Sequence, residues 1–79
     1  MLTVTIRYFA ALRESRGRDH ETLEVAEGTT AKALYATLFP PGPLGALPVA
    51  YAINLTYVSG DTALSDGDEL AFIPPVGGG

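Results

Sequence analysis

Polar and apolar residues alternate along Thr3-Val4-Thr5-Ile6-Arg7-Tyr8-Phe9, the period of a half-buried strand. Leu2, Val4, Ile6 and Tyr8 share one face; Thr3, Thr5, Arg7 and Phe9 share the other, which leaves Phe9 as the apolar member of a polar face. Ala10–Arg16 then reads as a short helix, with Gly17 where a left-handed stop is wanted. Alternation returns over Glu21–Val25, with Leu23 and Val25 inward, and Glu27-Gly28 marks a turn. The short Gly17–Glu21 connection predicts that the first two strands pair antiparallel around that helical turn. Thr29 or Thr30 offers the N-cap of a second helix, in which Ala31, Leu34, Tyr35 and Leu38 form one apolar stripe. Pro40-Pro41 ends it, and a Pro/Gly loop follows to Pro48.

Val49–Ile53 reads as a buried strand, Asn54 as a turn, and Thr56–Val58 as a resumed extended run. Ser59-Gly60-Asp61 and Leu64–Glu69 are turns, the second with Gly67 able to take positive φ. The last strand is Glu69–Ile73, with Leu70 and Phe72 pointing one way and Ala71 and Ile73 the other. One main helix on one face of a mixed sheet is an α+β two-layer domain. The order of elements suits a β-grasp, in which the first and last strands lie side by side at the centre of the sheet.

Length and composition narrow the functions available. A chain of 79 residues holds one domain and buries a thin core, about 60% of the surface its unfolded form exposes. With no cysteine and His20 as the single histidine, thiol nucleophiles, zinc-thiolate sites and iron–sulfur clusters are excluded, and no metal site is expected. The net charge of −4 disfavours nucleic acid as a partner and suits a protein with a basic docking surface. No apolar run approaches the roughly 20 residues of a membrane span, and the N-terminus lacks a signal-peptide pattern, so no membrane and a cytoplasmic location are expected.

The chemistry is concentrated at the C-terminus. Pro74 and Pro75 cannot donate to a ladder, so pairing ends there, and both favour extended backbone. The expected division is therefore a domain over residues 1–76 and a flexible tail over 77–79. Gly77, Gly78 and Gly79 present backbone without Cβ atoms, the one form that threads a narrow channel. From Pro75 onward, five extended residues reach roughly 17 Å, enough to enter another protein's active site. The Gly79 carboxylate, with an ordinary pKa of about 3.5, is a poor electrophile until it is activated, for instance as an acyl-adenylate. The chain carries no G-x-x-x-x-G-K loop, so the ATP site must belong to another protein.

The chain resembles the small subunit of molybdopterin synthase (MoaD type). The matching pieces are Arg7-Tyr8-Phe9-Ala10-Ala11-Leu12-Arg13-Glu14, Ala52-Ile53-Asn54, and above all Leu64-Ser65-Asp66-Gly67-Asp68-Glu69-Leu70-Ala71-Phe72-Ile73-Pro74-Pro75-Val76 with the final Gly78-Gly79. The resemblance implies a ubiquitin-like β-grasp and a sulfur carrier. A ubiquitin-activating-type adenylyltransferase would adenylate Gly79 with ATP, and a persulfide donor would convert it to a thiocarboxylate. The tail would then enter the large synthase subunit, within a heterotetramer, and deliver sulfur to cyclic pyranopterin monophosphate. The small subunit donates sulfur without being the catalyst and holds no cofactor of its own. Gly77 departs from relatives that place a larger or polar residue there, and the Pro-rich loop matches least.

Strand parity adds a docking face. If the helix covers the Leu70/Phe72 side, Phe9 and Ile73 are left outward, with Tyr57 beside them and Arg13 as a charged rim. By resemblance these positions, with Pro74, Pro75 and Val76 leading into the tail, meet the larger partner. Three other readings share the Gly-Gly end: a sulfur carrier for thiamine synthesis or transfer-RNA thiolation, a ubiquitin-like modifier of lysines, and an interaction module whose tail is inert. The Phe-Ala-x-Leu-Arg-Glu match points away from thiamine.

Overall fold

The structure is a computed structural model, and it describes residues 1–75. Strand β1 (Leu2–Tyr8) leads into helix α1 (Ala10–Arg16) and strand β2 (His20–Val25). Helix α2 (Ala31–Leu38) follows, then β3 (Ala50–Ile53), β4 (Thr56–Val58) and β5 (Glu69–Ile73). The five strands form one mixed sheet in the order β2-β1-β5-β3-β4. β1 and β5 are parallel neighbours at its centre, with Tyr8 opposite Phe72. β2 pairs antiparallel with β1, and β3 antiparallel with β5. This is the ubiquitin-like β-grasp, in agreement with the element order read from the sequence.

The core lies between the sheet and α2. Val4, Ile6 and Tyr8 of β1 and Leu70 and Phe72 of β5 are buried on one side, against Ala31, Leu34 and Tyr35. Five aromatic rings lock this layer: Tyr35 meets Phe72 edge-on with centroids 5.0 Å apart, and Phe39, Tyr8 and Tyr51 close around them.

Local chemistry sets the ends of the elements. Gly17 stops α1 at φ 72°, and its N–H donates to the Arg13 carbonyl. Thr30 is the N-cap of α2, its hydroxyl accepting from the Ala33 N–H at 3.1 Å. The next two N–H groups, of Ala31 and Lys32, donate to the carbonyls of Thr62 and Gly60, so the 59–64 segment completes the cap.

Some expectations shift. β2 begins one residue early at His20, and β3 begins at Ala50 because the Val49 N–H turns back to the Leu47 carbonyl. β3 is not a uniformly buried strand: Ala50 is exposed, and Tyr51 and Ile53 are half-buried against the core. Its buried residue is Ala52, on the opposite face. On α2, Leu38 is only half-buried, and Phe39, just past the helix, takes the deep position instead.

Candidate functional site: the outer sheet face and the tail exit

The side of the sheet away from α2 is built by strand parity. Arg7, Ala71, Ala52 and Tyr57 form one cross-strand row, each directly opposite the next. The two alanines at its centre make a low floor. Phe9, Leu55, Tyr57 and Ile73 stand around that floor, with Glu69 at one edge, and together enclose a shallow apolar depression. Phe9 is 44% exposed and Tyr57 73% exposed, while Ile73 is half-buried. Phe9 and Ile73, which parity placed outward, and Tyr57, expected beside them, are thus brought to one surface.

Charge lies at the margins. Arg7 and Glu69 form an exposed ion pair at 3.3 Å beside the depression. Pairs of this kind contribute at most about 1 kcal/mol, so this one shapes the rim more than the stability. Arg13 is exposed on α1, the helix that starts directly after Phe9. It does not line the depression.

The tail leaves from the rim of this face. Ile73, the last residue of β5, is opposite Ala50 of β3, and Phe72 is opposite Tyr8 of β1. The exit is therefore held on both sides by the ladder, next to Phe9. Pro74 is half-buried and Pro75 exposed, so the chain reaches the surface within two residues of the central strand. Val76, Gly77, Gly78 and Gly79 lie outside the described residues, as does the expected boundary at 76/77.

Two features were missed in the sequence. The first is Leu55, one of the four walls of the depression, in the two-residue loop between β3 and β4. The turn at Asn54 was legible, but the exposure of its neighbour was not. The second is on the core side. Glu21 accepts from the Tyr8 hydroxyl at 2.6 Å and from Arg16 Nη2 at 2.6 Å, which ties the end of α1 to β2. The i, i+5 spacing of Arg16 and Glu21 was the available signal, though it carries meaning only once α1 folds back on β2.

A model of the ThiS family matches residues 6–79. The chain belongs to the ThiS family. Within it, the chain is similar to the molybdopterin synthase sulfur carrier subunits of Chlamydomonas reinhardtii, at 35% identity over 99% of this chain and 100% of the relative, and of Escherichia coli, at 38% over 96% and 99%. Among solved structures, putative molybdopterin converting factor subunit 1 of Pyrococcus furiosus superposes with a TM-score of 0.78 at 32% identity, covering 96% of this chain and 100% of that one. Subunit 1 or 2 in the protein–protein complex of the molybdopterin-converting factor of Helicobacter pylori gives 0.64 at 26%, with 99% and 100% covered. SAMP1 of Haloferax volcanii gives 0.75 at 26%, with 98% and 99% covered. The ThiS-family chain has, among its described residues, no helix long and apolar enough to cross a membrane.

Proposed function

We propose that this chain is the sulfur-carrying small subunit of molybdopterin synthase, and that its working group is the Gly79 carboxylate. One observation carries the reading: the central strand β5 runs out through Pro74-Pro75 at the rim of an exposed apolar face. A tail that must enter another protein needs its neighbour docked against the exit, and the face is placed to do that. The names of the similar proteins, sulfur carrier subunits and a two-subunit complex, support the same reading.

The chemistry follows from the carboxylate. A ubiquitin-activating-type enzyme supplies the ATP site; a Gly79 oxygen attacks the α-phosphorus and pyrophosphate leaves. The terminal sulfur of a persulfide donor then attacks the acyl carbon and displaces AMP, giving an acyl disulfide. A thiol reductant attacks the donor's sulfur in that S–S bond, leaving the thiocarboxylate on Gly79 and a disulfide on the donor. The docked large subunit receives the tail, and the sulfur passes to cyclic pyranopterin monophosphate. The large subunit holds the catalytic groups; this chain contributes the reactive atom and the docking face, within a heterotetramer. Phe9, Tyr57 and Ile73 form the apolar contact, Arg13 a charged rim, and Pro74 to Gly78 the lead into the channel.

The test is intact mass after incubation with the activating enzyme, ATP and a sulfur source. A gain of about 16 Da located by fragmentation at Gly79 is expected, since sulfur replaces one oxygen. A chain lacking Gly79 is expected to stay folded and to support no pterin sulfuration with the large subunit. Normal sulfuration by that truncated chain ends the proposal. The similarity to SAMP1, a small archaeal modifier protein, favours a second reading as a protein modifier. Lysine adducts of this chain in cell extracts separate the two.

A further inference from the structure

Ile53 and Thr56 are paired, so Asn54 and Leu55 alone make the β3–β4 turn. Both have positive φ, 49° and 70°, the signature of a type I′ hairpin. The second position of such a turn favours glycine, because a Cβ there crowds the backbone. Leu55 is also 92% exposed, more than any other large apolar side chain among the described residues. A leucine here carries both a positive-φ backbone and an apolar side chain left almost wholly exposed among the described residues.

The turn itself is fixed. The Asn54 N–H donates to the Glu69 carbonyl at 2.9 Å, and the Glu69 N–H donates to Asn54 Oδ1 at 3.0 Å. Asn54 Nδ2 donates to Asp68 Oδ1 at 3.1 Å. Leu55 is therefore presented from a clamped support, which lowers the entropy lost on binding. It stands on the same depression as Phe9, Tyr57 and Ile73.

Its place along the sheet matters as much. Ala50 is opposite Ile73 and Ile53 opposite Leu70, so the hairpin tip lies at the start of β5 and the tail at its end. The two are separated by roughly 13 Å, four residue steps of an antiparallel strand. Contact at the exit alone leaves a partner free to pivot; a second anchor at the far end sets the angle at which the tail is presented.

We propose that Leu55 is a specificity-determining anchor that enters an apolar recess of the same partner that receives the tail. This rests on the docking reading above and adds to it a residue at the opposite end of the face. The occupant follows from continuity, since Leu55 shares one depression with the residues at the exit.

The experiment compares Leu55→Gly, Leu55→Met and Ile73→Arg in the full chain, titrated calorimetrically against the large synthase subunit, with Tm measured for each. Leu55→Gly is expected to hold or raise Tm, since it relieves the positive-φ strain, and to weaken binding about tenfold to a hundredfold. Leu55→Met is expected to keep the affinity within about threefold, because it retains the apolar volume. If Leu55→Gly binds normally while Ile73→Arg does not, the anchor is wrong and the docking face stands. If Ile73→Arg also binds normally, the docking reading fails and the anchor with it. A fall in Tm for Leu55→Gly means the leucine serves the fold, and overturns the proposal. So does a wild-type dimer in sedimentation that Leu55→Gly dissolves without changing affinity for the large subunit, since a second copy would then be the occupant.

Discussion

Glu21 shows how one residue joins two elements. Its Oε2 accepts from the Tyr8 hydroxyl and from both Nε and Nη2 of Arg16, at 2.6 to 3.0 Å, and its Oε1 lies 3.6 Å from Arg18. The glutamate side chain is 10% exposed. Burial alone pushes its carboxyl up, but the hydrogen bonds from Tyr8 and Arg16 pull it down and prevail, so it titrates below the usual glutamate range. Burial, and then the bond to Glu21, push the Tyr8 phenol well above its ordinary value, so it stays a neutral donor. A carboxyl whose folded pKa is depressed stabilises the fold above its unfolded value, about 4.3, and that contribution is lost as pH falls through the folded value. Glu21→Gln removes the charge that Arg16 and Tyr8 face. We expect it to cost about 1–2 kcal/mol at pH 7, because Arg16 is partly solvated. Urea titrations are also expected to show a weaker loss of stability below pH 4.5 in the variant than in the wild type. Parallel acid profiles would mean that Glu21 is not the group responsible.

At the level of elements, the Pro/Gly loop between α2 and β3 is held by contacts of its own. It is tied at two points. The Tyr35 hydroxyl donates to the Leu44 carbonyl at 2.5 Å. Gly45 packs so closely that a Cβ there would lie 2.3 Å from the Pro40 carbonyl oxygen and 2.7 Å from that of Phe39. The loop thereby folds against the end of α2 and helps bury Phe39, which is 4% exposed despite lying beyond the helix. Neither backbone oxygen can retreat without disturbing the end of α2. Gly45→Ala is expected to destabilise by about 1–3 kcal/mol, read as a lower urea midpoint. The loop lies on the α2 side of the sheet, so affinity for the large subunit should stay unchanged. A loss of affinity at full stability would place part of the docking surface on the wrong side of the molecule.

Across the whole molecule, the two sides of the sheet divide the work. One side is filled by α2 and the aromatic core; the other is left with Ala52 and Ala71 at its centre and taller apolar residues around them. Ile73 belongs to the second side, so Ile73→Arg is expected to leave Tm within a few degrees and to weaken binding to the large subunit by at least tenfold. An unchanged affinity in titration calorimetry would count against that face. Much of this plan was legible in advance. Alternation named the inner residues Val4, Ile6, Tyr8, Leu70 and Phe72, because one reversal of face per residue is a property of the strand itself. Gly17 and Gly67 marked their turns through local backbone preferences, and the N-cap of α2 was narrowed to Thr29 or Thr30, of which the structure uses Thr30. Pro74-Pro75 marked the end of strand pairing from residue types alone, and Pro75 stands exposed just past β5. What stayed hidden were relations between distant residues. The burial of Ala52 on the outer face depends on its neighbours Tyr57 and Ala71, and the grip on Glu21 depends on α1 returning to β2. The standing of Leu55 at one end of a face that ends in the tail depends on β5 lying between β1 and β3. Local order follows from interactions within a few residues, which the chain carries in its sequence; a surface is made by strands brought together from far apart, and only the packed sheet determines which of them meet.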